Sequence, residues 1–278
     1  MSNADASVEA IAEAYYDSAD ADNFYTHIWG GEDIHIGIYE SAKDTIRDAS
    51  RRTVSRMAGL LNLSPDTSVL DIGSGYGGAA RYLASTHGCK VTCLNLSRVE
   101  NAKNLGMTAD QGLTDNIEVV HGSFEEIPTE DGQFDVVWSQ DAILHSGHRS
   151  QVLREVARVL KPGGSFLFTD PMQADDITDP SALAPIYARI HLDSLASIAF
   201  YRLTLSELGF SEVTVAPMID QLRTHYDRVR EELLARRGEL AGKVSDDYID
   251  RMVTGLGHWV DGADRGLLAW GIMHFQKN

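Results

Sequence analysis

The chain has 278 residues, 43% hydrophobic and 8% aromatic, enough to bury one sizeable core with room for a subdomain. It carries 41 acidic against 24 basic residues, a formal net charge of −17, which disfavours nucleic acid and anionic membrane as partners because little positive charge is left to neutralise phosphate. No apolar run approaches the roughly 18–20 residues of a membrane span, and the acidic opening MSNADASVEAIAEAYYDSAD lacks a basic stretch followed by an apolar one, so neither a span nor a signal peptide is expected and a cytosolic setting fits. Of the basic residues 18 are Arg and 6 are Lys, a balance that suits either an ordinary acidic enzyme or a salt-adapted surface.

In chain order, residues 7–16 read as a helix and 23–40 as an aromatic, glycine-punctuated irregular stretch. Residues 44–61 have helical spacing, with Ile46, Val54, Met57, Leu60 and Leu61 apolar. Alternation follows: SVLDIG, KVTCLNLS, IEVVHGS, FDVVWSQD and GSFLFTDP are strands, separated by helical patterns at 78–87, 97–112 and 149–160. The last of these strands is entered through the KPGG turn at 161–164. Strands alternating with helices predict an α/β fold with a parallel sheet covered on both faces. Beyond Pro171, residues 180–209 read as helical, FSEVTVAPMI as a strand, 219–240 and 245–260 as amphipathic helices, and GLLAWGIMHFQKN as a closing strand. Cys89 and Cys93 sit four apart around the second strand, hence on one face, and read as two reduced core thiols. No metal site is expected.

Within VLDIGSGYGG, Gly73, Gly75 and Gly78 satisfy a dinucleotide-type G-x-G-x-x-G. Asp71 points elsewhere. A carboxylate two residues before the first glycine repels a diphosphate and suits a ligand carrying an ammonium group. VLDIGSGYGG resembles the first motif of class I S-adenosylmethionine-dependent methyltransferases, FDVVWSQDAILH their fourth-strand motif and VLKPGGSFLFTD their fifth. The resemblance implies a Rossmann-like fold: a seven-stranded, mostly parallel sheet with helices on both faces. It divides the chain into an N-terminal helical lid (1–62), a cofactor-binding core (63–172), and cap helices with the last two strands (173–278). It assigns the cofactor, S-adenosyl-L-methionine, to Asp71, Gly73, Gly75, Asn95, Leu96, Ser123, Phe124, Gln140 and Trp29. Asn95 stands where the family usually has Glu or Asp for the ribose, and Ser123 where many relatives have Asp beside the adenine.

Further segments, YYDS, FYTHIWGGEDIHIGIYE, WSQDAILHSG, FTDPMQ, ARIHLDSLASIAFYR and AWGI, resemble the sarcosine/dimethylglycine N-methyltransferases, which make glycine betaine. The acceptor implied is a small zwitterionic amine. Its carboxylate calls for an Arg fork, and Arg189 and Arg202 are the candidates, Arg189 favoured. Its ammonium calls for aromatic faces, and Tyr16, Tyr25, Trp29, Tyr39 and Tyr201 are the candidates, with ordinary core packing as the competing reading of each. His145, after the fourth strand, is the candidate for proton handling, with a structural histidine as its competitor. Other readings remain open: a methyltransferase for another small amine or a phosphobase, a non-catalytic cofactor-binding protein, or a nicotinamide oxidoreductase. A monomer or homodimer is expected.

Overall fold

The computed structural model describes residues 13–177, 179–190 and 194–278. Runs such as Val136–Val137–Trp138 are apolar at every position, which suits strands covered on both faces. Five of them lie parallel: β1 (Ser68–Ile72), β2 (Lys90–Asn95), β3 (Ile117–His121), β4 (Phe134–Gln140) and β5 (Leu160–Thr169). The last strand, β7 (Gly271–Lys277), inserts antiparallel between β5 and β6 (Phe210–Pro217), giving the order β3-β2-β1-β4-β5-β7-β6. All five parallel strands therefore point their carboxyl ends to one edge, where a reversal of strand order between β1 and β4 opens a crevice.

Before β1 come α1 (Ala19–Phe24), a π turn over Tyr25–Trp29 and α2 (Ile46–Ala58). The crossovers are α3 (Gly78–His87), α4 (Arg98–Asp110) and α5 (Arg149–Val159). Helices α6 (Ala184–Ile190) and α7 (Ile198–Glu207) precede β6, and the pair α8 (Ile219–Ala235) and α9 (Asp246–Asp264) precedes β7. Local chemistry sets several starts: Thr45, Ser97, Ser197 and Ser245 each accept a backbone N–H of the first turn of the helix that follows.

Strand alternation splits the core. Val69, Cys93, Val136, Trp138, Leu167 and Ile272 face one side, packing with α3, α8, α9 and the aromatics Phe24, Tyr25 and Trp29. Leu70, Ile72, Val137, Phe166, Phe168 and Met273 face the other, packing with α5 and α7. Cys89 and Cys93 are buried free thiols on the first side. Among the described residues no helix is long and apolar enough to cross a membrane.

The second half departs from its sequence reading in three places. The expected helix at 180–209 is a 3-10 turn over Pro180–Leu183 followed by α6 and α7, with Ser194–Ser197 outside any helix or strand and Ser197 itself, the cap of α7, extended. The helix expected at 219–240 stops at Ala235, where Arg236 turns its guanidinium back onto Glu232 and onto Glu239 beyond the helix end. The closing strand breaks at Trp270, leaving Leu268–Ala269 to pair with Met172–Gln173 in a separate two-stranded ribbon. Of the helix read at 7–16, only the turn at 13–16 falls among the described residues.

Tyr201 and Arg202, both read as acceptor-binding candidates, have other partners. Tyr201 is fully buried on α7, its ring edge-on to Phe168 and its hydroxyl donating to Asp170 Oδ2 at 2.7 Å. Asp170 Oδ1 in turn accepts from the Leu144 N–H at 2.9 Å, and burial pushes this carboxyl up to about 7. Arg202 points outward and forms a two-pronged pair with Glu212 on β6, at 2.8 and 3.1 Å. Tyr201→Phe strips a donor from a buried carboxyl, so urea unfolding should show a loss of about 1–3 kcal/mol; an unchanged midpoint would contradict this support role.

Candidate active site

At the carboxyl edge, the chain must turn sharply from β1 into α3. Gly73 and Gly75 adopt φ of +74° and +50°, in the left-handed region that glycine enters freely. A Cβ on Gly73 would come within 2.3 Å of the Ala142 Cβ, so the turn after β1 and the turn after β4 touch only because this side chain is missing. Between these turns lies a cleft. Its walls come from the ends of three strands: Gly73 and Gly75 after β1, Asn95 and Leu96 at β2, and Gln140, Asp141 and Ala142 at β4. Phe124 adds a ring, Glu100 reaches in from α4, and Glu13, Tyr16 and Ile34 close it from the N-terminal side, beside His145.

Four carboxylates, from Glu13, Glu100, Glu125 and Asp141, line this cleft, and no Lys or Arg does so among the described residues. Asp71 lies buried behind the glycine turn, and burial raises its carboxyl to about 7 against the opposing influence of His35. Glu100 is likewise raised to about 7 by burial, partly offset by a hydrogen bond from Asn95. Asp141 is raised by burial too. It has φ +52°, the one non-glycine residue in the left-handed region among those described, and such strain persists only where the surroundings enforce it. Its Oδ2 accepts from the Ile36 N–H at 2.7 Å and its Oδ1 from the Trp270 indole at 2.8 Å.

Gln140 is fixed from one end, its Oε1 accepting from the Trp138 indole at 3.0 Å, while its buried Nε2 has no partner among the described residues. Tyr16 and His145 are bonded, hydroxyl to Nε2 at 2.9 Å, so the N-terminal helical turn is latched to the 3-10 turn after β4. Tyr16 also stacks on Tyr25, centroids 5.8 Å apart.

The remaining aromatic candidates do not line the cleft. Tyr25 is buried among Tyr16, Phe24 and Trp29. Trp29 donates to the His35 carbonyl at 3.2 Å and packs on His225. The Tyr39 hydroxyl bonds His225 Nδ1 at 3.0 Å. Ser123 faces adjoining hollows with Glu126. Arg189 belongs to α6, but its side chain lies outside the described residues. Glu100 went unnoticed in the sequence; its signal was an acid in the first turn of a helix starting just beyond β2.

The strand order, the glycine turn and the acidic cleft at the carboxyl edge define a methyltransferase of the Rossmann-like class, and residues 70–168 match the methyltransferase domain family. The chain is 56% identical over 267 residues to a sarcosine/dimethylglycine N-methyltransferase from Halorhodospira halochloris, covering 96% of this chain and 95% of that one. It is 52% identical to one from Aphanothece halophytica over the whole of both chains. A Galdieria sulphuraria crystal structure, of a protein provisionally assigned as a sarcosine dimethylglycine methyltransferase, superposes with a TM-score of 0.90 at 44% identity, covering 95% of this chain and 99% of that one. The chain belongs to the sarcosine/dimethylglycine N-methyltransferase family.

Gly73→Ala forces a strained φ and a clash with Ala142. Calorimetric titration with S-adenosylhomocysteine should show affinity falling by about a hundredfold or more while circular dichroism stays native, as a close-approach position demands. Unchanged affinity would mean that the cofactor does not depend on this turn.

Proposed function

We propose that this chain transfers the methyl group of S-adenosylmethionine to the nitrogen of dimethylglycine, and to that of sarcosine, forming glycine betaine. The observation that carries the cofactor reading is the charge of the cleft: carboxylates line it and no described Lys or Arg does, which suits a ligand with sulfonium and ammonium groups and opposes a pyrophosphate. The glycine turn leaves bare backbone where a ligand must approach closely, and Gln140 Nε2 and Glu100 Oε1 are buried polar atoms still lacking partners. These residues fit the cofactor. Family resemblance carries the acceptor reading, supported by full-length identity above 50% to two relatives.

In this reading residues 13–62 act as a lid over the cofactor, the segment up to Met172 as its platform, and the helices beyond as a cap. Asp71 stands behind the glycine turn as the counter-charge for the cofactor's ammonium. Asn95 and Leu96 take the ribose region and Phe124 the adenine. Bound S-adenosylmethionine would supply an electrophilic methyl carbon on a sulfonium; the acceptor's nitrogen lone pair would bond that carbon in line as the C–S bond breaks and S-adenosylhomocysteine leaves. The protein's contribution is alignment, which in favourable cases supplies about 7–11 kcal/mol of barrier lowering. Asp141, Tyr16 and His145 converge where the β4 turn meets the N-terminal segment. Only the unprotonated amine attacks, so His145, held by Tyr16, is placed to take the proton that the ammonium form must lose. Arg189 is proposed to hold the acceptor's carboxylate.

Mass spectrometry of incubations with S-adenosylmethionine and, separately, glycine, sarcosine, dimethylglycine and phosphoethanolamine tests the acceptor. Betaine from dimethylglycine is expected. No product from dimethylglycine or sarcosine, with the cofactor bound, would overturn the assignment.

Proton linkage tests the cofactor reading separately. Asp71 and Glu100 sit near 7 in the free protein, partly protonated at neutral pH. A bound cation favours their charged forms, so binding expels protons and affinity climbs as pH rises through about 7, then levels off. Calorimetry in buffers of different ionisation heats should record net proton release at pH 6.5–7. Proton uptake would contradict it.

A further inference from the structure

Leu144 precedes His145 in the 3-10 turn over Ile143–His145, and its backbone is held on both sides. Its N–H donates to Asp170 Oδ1 at 2.9 Å, and its carbonyl accepts from Arg149 Nη2 at 3.0 Å. That carbonyl and the His145 N–H belong to one planar peptide unit, and the N–H in turn donates to the Ala142 carbonyl at 3.1 Å. The peptide that leads into His145 is thus gripped at both ends, and one of the two grips is the Arg149 side chain.

The same guanidinium reaches across to the segment between α6 and α7. Arg149 Nη2 also donates to the Ser194 carbonyl at 2.6 Å, and Nη1 donates to the Ser194 hydroxyl at 3.2 Å. From there the ties run on: the Gln173 N–H donates to the Ala196 carbonyl at 2.9 Å, and the Tyr187 hydroxyl of α6 donates to Gln173 Oε1 at 3.0 Å. Arg202, Arg223 and Arg237 all pair with acids. Arg149 makes no ion pair among the described residues; its charge favours the ionised form of Asp170 from a distance, while its N–H groups point at two carbonyls and a hydroxyl. It also opens α5, where a cation opposes the helix dipole and no side chain caps the start. The helix therefore gives no reason for an Arg at this position; the carbonyl contacts do.

We propose that Arg149 is a positioning residue for methyl transfer: its guanidinium clamps the Leu144–His145 peptide to Ser194, so that His145 and the cap over the acceptor are held in one fixed relation. This rests on the reading that His145 takes the acceptor's proton. A planar fork holds several acceptors at once, which the point charge of a Lys on its flexible stem does poorly, so the shape of this side chain matters as well as its charge.

The test is a double-mutant cycle on the single-turnover rate of methyl transfer to saturating dimethylglycine, with S-adenosylhomocysteine affinity measured by calorimetry on each protein. Arg149→Ala should slow transfer by about ten- to a hundredfold, the scale of a displaced catalytic group, while S-adenosylhomocysteine affinity stays within about twofold of wild type. In a His145→Ala background the same substitution should cost less than about twofold, because residues that act as a unit are not additive. A merely structural Arg149 predicts one common factor in both backgrounds, and that result overturns the proposal. So does an unchanged transfer rate in Arg149→Ala. Arg149→Lys keeps the charge without the fork and runs the same cycle if Arg149→Ala does not fold: a slower rate in the wild-type background alone supports the clamp, and a wild-type rate overturns it. If His145→Ala itself transfers at the wild-type rate, the reading of His145 falls and the proposal with it. A wild-type protein that methylates neither dimethylglycine nor sarcosine would instead overturn the proposed function.

Discussion

The Asp141 carboxylate accepts one hydrogen bond from the Ile36 N–H and one from the Trp270 indole, at 2.7 and 2.8 Å. Residue 36 precedes the first strand of the sheet, residue 270 stands at the threshold of the last, and Asp141 follows directly on β4 between them. One side chain thus joins the two ends of the chain to the edge where the cleft forms. Its own backbone is held left-handed, with its N–H bonded to the Thr169 carbonyl at 2.9 Å, which fixes the point from which the carboxylate leaves the main chain. The neighbouring residues reinforce the join from the far side: the Gly37 N–H donates to His225 Nδ1, and the Tyr39 hydroxyl bonds the same nitrogen. Burial drives the His225 pKa down to about 3, so this imidazole stays neutral and keeps its acceptor nitrogen across the physiological range.

Around that join the electrostatics are one-sided. Asp71 and Glu100 are raised by burial, and each is close to half-charged near neutral pH. Holding several acids out of water costs stability, and that cost is offset where a cation arrives to restore their charge. An acidic cleft of this kind selects by sign: it opposes diphosphates and favours sulfonium and ammonium groups. The same logic extends to the surface, where acids exceed bases by 17. A glycine turn alone would have left the choice of ligand open; the acids around it narrow that choice.

Much of this was legible in the sequence because it depends on short-range pattern. Short apolar stretches, Val69–Leu70 in β1 and Val136–Val137–Trp138 in β4 among them, set the parallel strands, and the glycine spacing after β1 marked the turn that lines the cleft. Partner choice was not legible, since it depends on topology. Arg202 has the right charge for a carboxylate ligand, yet β6 brings Glu212 beside it. Tyr201 has the right ring for an ammonium, yet α7 faces it into the sheet, where Asp170 waits 31 positions earlier in the chain. Trp29 and Tyr39 were likewise drawn to His225, which the sequence reading had not singled out. Glu100 was missed for the opposite reason: an acid in a helix's first turn is so ordinary a dipole partner that nothing flagged its burial.

Hydrogen exchange on Asp141→Ala, followed by mass spectrometry, addresses the join most directly. If Asp141 ties the N-terminal segment and the approach to β7 to the end of β4, amides at 34–38 and 268–272 should exchange markedly faster in the variant than in the wild type, while β1 and β2 keep their protection. Equal protection of both segments in the two proteins would show that packing alone holds the edge together, and would contradict the role given to this carboxylate.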